Sequence, residues 1–192
     1  MKVVAFNGSA RKNGNTALMI ERVFDVLKAE GIETELISLA GKNLRGCLAC
    51  NKCAESKDRR CAGVTDDQVN EYIAKIDEAQ GVILGSPVYF ATLSSSLKIL
   101  IDRAGKVAKV NGDMYRRKVG AAVVAVRRAG SVLTFDTINN FFLISQMIIP
   151  GSSYWNTGIG LAPGDVSEDE EGMQTMKTLG ENMAWLIKKT AS

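Results

Sequence analysis

Short apolar runs alternate along this chain with segments whose apolar residues recur at helical spacing. The five strand-like runs span residues 2–6, 34–39, 81–86, 119–126 and 148–149. Such alternation is typical of a parallel sheet with helices on both faces. Residues 119–126 (VGAAVVAV) contain no polar side chain, so we expect this strand in the centre of the sheet. Pro150 lacks an N–H and places the fifth strand at an edge.

Five helices are predicted between and after these strands. The first begins near Thr16 and ends at Gly31, and the capping box Thr65-Asp66-Asp67-Gln68 opens the second. A third follows the third strand, a fourth covers about residues 134–147, and Ser167-Glu168-Asp169-Glu170 opens the last. Strands and helices therefore alternate strictly, as in an α/β fold.

Length and composition narrow the class of protein. With 192 residues and 46% hydrophobic content, the chain is expected to form one domain over residues 1–192. A net charge of +3 is too small to indicate nucleic-acid binding. Neither a signal peptide nor a membrane span is predicted from the sequence, so we expect a cytoplasmic protein with no membrane partner.

All four cysteines fall in one short segment, GCLACNKCAESKDRRC: Cys47, Cys50, Cys53 and Cys61. Gaps of two, two and seven residues are typical of thiolates around a metal, whereas disulfide frameworks scatter their cysteines. Because the chain has no histidine, sulfur and carboxylate are its metal ligands. Four thiolates favour an iron–sulfur cluster or zinc. The loop, residues 46–62, follows the second strand, so we expect it on the same rim as the ligand crevice.

The loop after the first strand, Asn7–Thr16 (NGSARKNGNT), is rich in hydrogen-bond donors. Ligands of open parallel sheets bind beyond the carboxyl ends of the strands. The loop lacks both the G-x-G-x-x-G fingerprint and the P-loop ending. Its candidate ligands precede or begin a helix: Ser9, Arg11, Asn13, Gly14, Asn15 and Thr16. These donors are suited to binding one terminal phosphate. The alternative interpretation is a polar loop that binds no ligand and ends in an ordinary helix cap.

The loop after the third strand, Gly85–Ser95, places two aromatic rings at a strand end. Pro87 stiffens the turn, and Tyr89 and Phe90 follow Val88. Rings and rigid backbone there could flank a flat, amphipathic ring system. The alternative is that both rings only close the end of the sheet.

These segments together resemble a known family. GSARKNGNT, GC-x2-C-x2-C-x7-C, GSPVYF and LKILIDR are similar to the flavodoxin-fold NAD(P)H-dependent FMN reductases, and within them to the iron–sulfur flavoproteins. The resemblance implies a flavodoxin-like, doubly wound, five-stranded parallel sheet of order 2-1-3-4-5. It extends roughly from Lys2 to Trp155.

The resemblance also implies cofactors and their ligands. FMN would place its phosphate on Ser9, Arg11, Asn15 and Thr16 and its isoalloxazine against residues 87–90, with residues 127–130, including Arg128 and Gly130, as a third wall. A 4Fe–4S cluster would bind the four cysteines, and the chain would form a homodimer or homotetramer.

The expected activity is an FMN-dependent oxidoreductase that passes electrons from NAD(P)H or ferredoxin to an acceptor such as a quinone. The cofactors supply the chemistry, so no catalytic side chain is predicted; flavin nitrogens, water or Tyr89 would handle protons. Lys52, Lys57, Arg59 and Arg60 would favour the reduced cluster. Two alternatives remain: a plain NAD(P)H:FMN or quinone reductase without a cluster, and a non-enzymatic structural zinc module.

Overall fold

The expected parallel sheet is present in the computed structural model, which describes residues 1–190. Residues 191 and 192, the end of the predicted domain, lie outside the described residues. The five strands are β1 (Lys2–Asn7), β2 (Glu33–Ser38), β3 (Gly81–Pro87), β4 (Val119–Val126) and β5 (Thr157–Ile159). All pair in parallel, in the order β2-β1-β3-β4-β5. The predicted α/β class and strand order are confirmed.

Six α-helices lie within residues 1–190: α1 (Asn15–Ala29), α2 (Lys52–Ser56), α3 (Val69–Glu78), α4 (Ser95–Val110), α5 (Ser131–Ile144) and α6 (Glu170–Thr190). A 3-10 turn, Asp165–Glu168, precedes α6. The additional helix, α2, is a single short one inside the cysteine segment. Helix α5 begins three residues earlier than predicted because Gly130, at φ 90°, reverses the chain directly before it.

The core consists of two apolar layers, one on each face of the sheet. Helices α1 and α6 cover one face, where Ala121 and Val123 of β4 point. Helices α3, α4 and α5 cover the other, where Ala122 and Val124 point. Every residue of β4 is therefore buried, which explains why its sequence is uniformly apolar.

The predicted position of the fifth strand is wrong. Ile148 makes one isolated parallel bridge with Val119, at the beginning of β4, and the ladder stops there. Pro150 has no N–H to continue it. The actual β5 pairs its three residues with Val124–Val126, at the carboxyl end of β4.

The predicted capping box is also wrong. Helix α3 begins at Val69 with no side-chain cap on its N-cap residue, Gln68. Asp67 accepts the Val69 N–H at 3.1 Å, but its carboxylate also forms an ion pair with Arg103 of α4. Pairing a buried guanidinium matters more than capping one helix, because an unpaired buried charge is very costly.

Replacing Gly120 of β4 tests the packing of the layer that holds α5. An added Cβ would lie 2.7 Å from the ring of the buried Phe142. We expect G120A to lower the free energy of unfolding by about 1–3 kcal/mol, measured by urea denaturation. The control G151A, whose Cβ meets nothing within 4 Å, should change it by less than about 0.5 kcal/mol. Equal stability of the two variants would contradict this packing.

Candidate functional site

A cavity of about 190 Å³ lies at the carboxyl ends of the strands, next to the point where the chain order reverses between β1 and β3. The chain segments at the ends of β1, β3, β4 and β5 contribute to it. Its lining consists of Ser9, Arg11, Asn15, Thr16, Pro87, Val88, Tyr89, Ala125, Arg127, Gly160 and Leu161. Eight of these residues, Arg127 among them, were predicted from the sequence, and the structure brings them together. Asn13, Gly14, Phe90, Arg128 and Gly130 do not line the cavity.

The loop after β1 is shaped by short-range hydrogen bonds. The Ser9 N–H donates to Asn7 Oδ1 at 3.0 Å, and the Arg11 N–H donates to Ser9 Oγ at 3.1 Å. Gly8 brings the loop against the start of α4: an added Cβ would lie 2.6 Å from Ser94 Oγ. The Gly8 N–H also bonds Gly85 O at 2.8 Å. The first and third strand ends are thereby held side by side.

The N-terminus of α1 presents donors to the cavity. The N–H groups of Asn15 and Thr16 belong to the first turn, where no preceding helical carbonyl is available. Within residues 1–190, the buried Thr16 side chain makes no hydrogen bond. The first turn carries no acidic residue, and no Asp or Glu of the described chain lines the cavity. Together with the helix dipole, these features favour an anion.

The loop after β3 carries backbone strain at the mouth of the cavity. Tyr89 and Thr92 exchange two backbone hydrogen bonds around Phe90 and Ala91, whose φ angles are 48° and 62°. Such turns usually contain Asn or Gly at these positions. The strain places Tyr89 on the cavity wall and leaves the Phe90 side chain fully exposed. Strained backbone of this kind concentrates at functional sites.

Of the predicted third wall, residues 127–130, Arg127 is the residue that lines the cavity. Arg128 is exposed and does not line the cavity. Gly130 has an indirect role: it passes so close to the neighbouring loop that an added Cβ would lie 3.0 Å from Val88 Cγ1. It therefore allows the loops after β3 and β4 to touch.

A fourth wall, Gly160 and Leu161, was missed. Asn15 holds this segment, because its side chain donates to Ala162 O at 2.9 Å and accepts from the Gly164 N–H at 2.9 Å. Arg11 donates to Leu161 O at 3.0 Å. The run of glycines from Gly158 to Gly164 was the available signal, but the misplaced fifth strand hid that it follows a strand end.

The residues around the cavity fit FMN. One end combines Ser9, Arg11, Thr16 and the free N–H groups of α1, a donor set suited to a phosphate dianion. The other end combines Pro87, Val88 and Tyr89, which suits a flat ring with an apolar face.

The cysteine segment does not reach this cavity. Cys53 and Cys61 are buried against the core, and Cys47 and Cys50 are exposed. Asn111, directly after α4, donates to Cys53 O at 3.5 Å. Since α4 starts near the cavity and its 16 residues extend for about 24 Å, Cys53 lies toward the opposite edge of the sheet. The expectation that the whole loop shares the rim of the crevice is wrong.

The chemistry of the cysteine segment suits a metal centre, although its ligands are not gathered. Within residues 1–190, no three Cys, Asp or Glu side chains are arranged as a metal site. All four thiols are free. Gly63 leaves room for the Cys50 thiol, since a Cβ added to Gly63 would lie 2.5 Å from Cys50 Sγ. Burial raises the pKa of the Cys53 thiol above its usual value, and the neighbouring Cys61 adds to this effect.

One of the cations predicted near these thiols, Arg59, is paired with a carboxylate. The Arg59 guanidinium pairs with Asp77 at the end of α3, with Nε–Oδ2 at 3.1 Å. The cation beside Cys61 is Arg103, which lies in the LKILIDR motif of α4. Burial opposes its charge, but Asp67 and the Cys61 thiol keep the pKa of the Arg103 guanidinium above its ordinary value.

Comparison with known proteins agrees with this geometry. The family model for NADPH-dependent FMN reductase matches residues 1–161. Iron-sulfur flavoprotein MJ1083 of Methanocaldococcus jannaschii is 43% identical over 195 aligned positions, covering 98% of each chain. This chain belongs to the NADPH-dependent FMN reductase family, among the iron–sulfur flavoproteins. As a member of that family it is a flavin-dependent oxidoreductase.

Solved structures resemble this FMN reductase family member in fold. RosB, solved with bound 8-demethyl-8-formylriboflavin-5'-phosphate, matches with a TM-score of 0.75 at 15% identity, covering 100% of this chain and 80% of RosB. FerB of Paracoccus denitrificans, a flavoenzyme NAD(P)H:(acceptor) oxidoreductase, matches with a TM-score of 0.72 at 17% identity, covering 98% and 97%. None of the helices described for the family member is both long and apolar enough to cross a bilayer.

Replacing Asn15 tests whether its side chain holds the fourth wall. N15A removes the hydrogen bonds to the segment after β5, so we expect amide hydrogen exchange at residues 160–166 to accelerate about tenfold in the cofactor-free protein. The control N13A removes an exposed amide from the same loop and should leave exchange there unchanged. Unaltered exchange in N15A would show that the wall is held by other contacts.

Proposed function

We propose that the cavity binds FMN with the phosphate at the N-terminus of α1. The proposal rests on one observation: the free N–H groups and unpaired Thr16 hydroxyl of this turn face a cavity lined, within the described chain, by no carboxylate. Ser9 and Arg11 add a hydroxyl and a guanidinium. Asn13 and Gly14 would contribute through the backbone of the turn, and Asn15 would act by holding the fourth wall.

The isoalloxazine would lie between the loops after β3 and β5. Pro87, Val88 and Tyr89 offer one face and Leu161 another, with Arg127 at the side. A cavity of about 190 Å³ is smaller than the usual range for cofactor sites, so the ring would extend to the mouth. There the exposed Phe90 and Arg128 would border it. Gly130 would contribute by allowing the close contact with Val88.

Bound FMN would supply both hydride and single-electron transfer. The chain itself would bind, orient and shield it. Among the lining residues of the described chain, Tyr89, Arg11 and Arg127 are the ionisable ones, so no carboxylate or histidine is positioned as a general base. The electron donor would be NAD(P)H or ferredoxin, and the acceptor a small molecule such as a quinone or a redox protein.

We further propose that Cys47, Cys50, Cys53 and Cys61 hold a 4Fe–4S cluster. Four free thiols in one segment, the space left by Gly63 beside Cys50 and the buried cation Arg103 support it. A reducing compartment such as the cytoplasm would keep these thiols available. Exposed apolar side chains, among them Leu133, Ile144 and Trp155, support assembly as a homodimer or homotetramer.

Comparing FMN with riboflavin tests whether the cavity recognises the phosphate. We expect R11Q to weaken FMN binding about ten- to hundredfold, since it removes a charge-assisted contact with the phosphate. Riboflavin, which has no phosphate, should bind wild type and R11Q equally. The control K12Q changes an adjacent exposed cation outside the cavity and should bind FMN as wild type does. Equal FMN affinity of R11Q and K12Q by fluorescence titration would overturn the phosphate assignment.

Metal content tests the cysteine centre. Anaerobically reconstituted wild type should contain iron, sulfide and FMN, and each single Cys→Ser variant should lose most of the iron while retaining FMN. Flavin without iron in the wild type would leave a plain NAD(P)H:FMN or quinone reductase, and zinc in its place would indicate a structural centre. Retained iron in all four variants would exclude these cysteines as ligands.

A further inference from the structure

Arg103 forms an ion pair in the interior of the protein. Its side chain is 0% exposed and that of Asp67 is 1% exposed. The guanidinium Nη1 donates to the two carboxylate oxygens of Asp67 at 2.7 and 2.5 Å. Burying two charges is costly, and such a pair often stabilises no more than apolar residues of the same volume. Stability alone therefore does not account for its presence.

The remaining bonds of Arg103 join the two ends of the cysteine segment. Nη1 also donates to Arg45 O at 3.2 Å, two residues before Cys47, and Nη2 donates to Val64 O at 2.7 Å, three residues after Cys61. Asp67 completes the closure by accepting the Arg45 N–H at 2.9 Å. One guanidinium on a rigid helix thus fixes both ends of the loop that contains every cysteine.

Of the three guanidinium nitrogens of Arg103, one has no hydrogen-bond partner in the described chain. Its Nε is buried and makes no hydrogen bond within residues 1–190. An unsatisfied buried donor is costly, so it indicates an interaction made in another state of the protein. The Cys61 thiol is near enough to affect the guanidinium electrostatically. Asn70 fixes the backbone of Cys61, accepting its N–H at 2.7 Å and donating to its carbonyl at 3.1 Å.

We propose that Arg103 is the positioning residue of the cysteine centre: its guanidinium closes the loop around the ligands, and its Nε–H donates to the Cys61 sulfur once that sulfur is a metal-bound thiolate. This inference rests on the proposed cysteine-bound cluster. It requires arginine rather than lysine, because only the planar fork can bind Asp67, two carbonyls and a sulfur together.

The proposed bond has a consequence for electron transfer. A hydrogen bond to a ligating sulfur and a nearby positive charge both favour the state that carries the additional electron. Arg103 would therefore raise the reduction potential of the centre, in addition to organising its ligands. Among the surface cations of the loop, Arg59 contributes less, since it is neutralised by Asp77.

The experiment compares R103K with R45K in the full-length protein after anaerobic reconstitution with iron, sulfide and FMN. R103K keeps the charge opposite Asp67 but loses the fork and Nε. R45K makes the same change in the same loop, at a side chain that is 51% exposed and pairs with the surface residue Asp66. Iron and sulfide per chain, FMN per chain and the midpoint potential of the centre are measured for both variants and the wild type.

We expect R103K to bind FMN as wild type does, to retain at least threefold less iron and sulfide, and to shift the potential of any retained centre to more negative values. R45K should match wild type throughout. Unchanged iron content and potential in R103K would overturn the role of Arg103 but leave the cluster proposal standing. A wild type without any metal would overturn the cluster, and with it this role.

A double variant addresses possible misfolding of R103K. R103M/D67L replaces the ion pair by apolar residues of similar volume, a change that folded proteins often tolerate. It should bind FMN normally, which reports an intact sheet, and it should hold little iron. Full iron content in this variant would equally overturn the proposal.

Discussion

The fold depends on the requirement that three adjacent parallel strands be covered on both faces. β1, β3 and β4 are buried along nearly their whole length, so helices must pack on either side of them. Parallel strands need long crossover connections, and these supply the helices. The same constraint aligns all carboxyl strand ends at one edge, where the connecting loops meet. The cavity is thus a consequence of how the sheet is covered.

What the cavity can bind is decided by backbone groups as much as by side chains. The first turn of α1 has N–H groups without carbonyl partners, and close approaches at Gly8 and Gly130 hold the surrounding loops together. The strained turn at Phe90 and Ala91 fixes where Tyr89 stands. A rigid, anion-attracting pocket with one aromatic side is what a flavin phosphate requires of a protein, and membership of the FMN reductase family agrees with it.

The cysteine segment is organised by different forces. Apart from the short helix α2, residues 39–68 contain no regular structure within the described chain, and few of their backbone groups can pair with a sheet or helix. Polar side chains on neighbouring helices, or directly after one, provide the missing partners: Arg103 for Arg45 and Val64, Asn70 for Cys61, and Asn111 for Cys53. This arrangement fixes the loop without an apolar core of its own.

The sequence by itself determined the parallel sheet and the α/β class, because burial on both faces leaves uninterrupted apolar runs. It also indicated that the loops after β1 and β3 belong to the site, because hydrogen-bond donors and aromatic residues stand directly after such runs. Only the tertiary structure decided where β5 pairs, which of Arg127 and Arg128 faces the cavity, and that Asp67 pairs with Arg103. The physical reason is the sequence separation between the residues in contact. Periodicity and turn chemistry are local, whereas β5, the Gly160 wall and the Arg103–Asp67 pair depend on contacts between residues far apart in the chain.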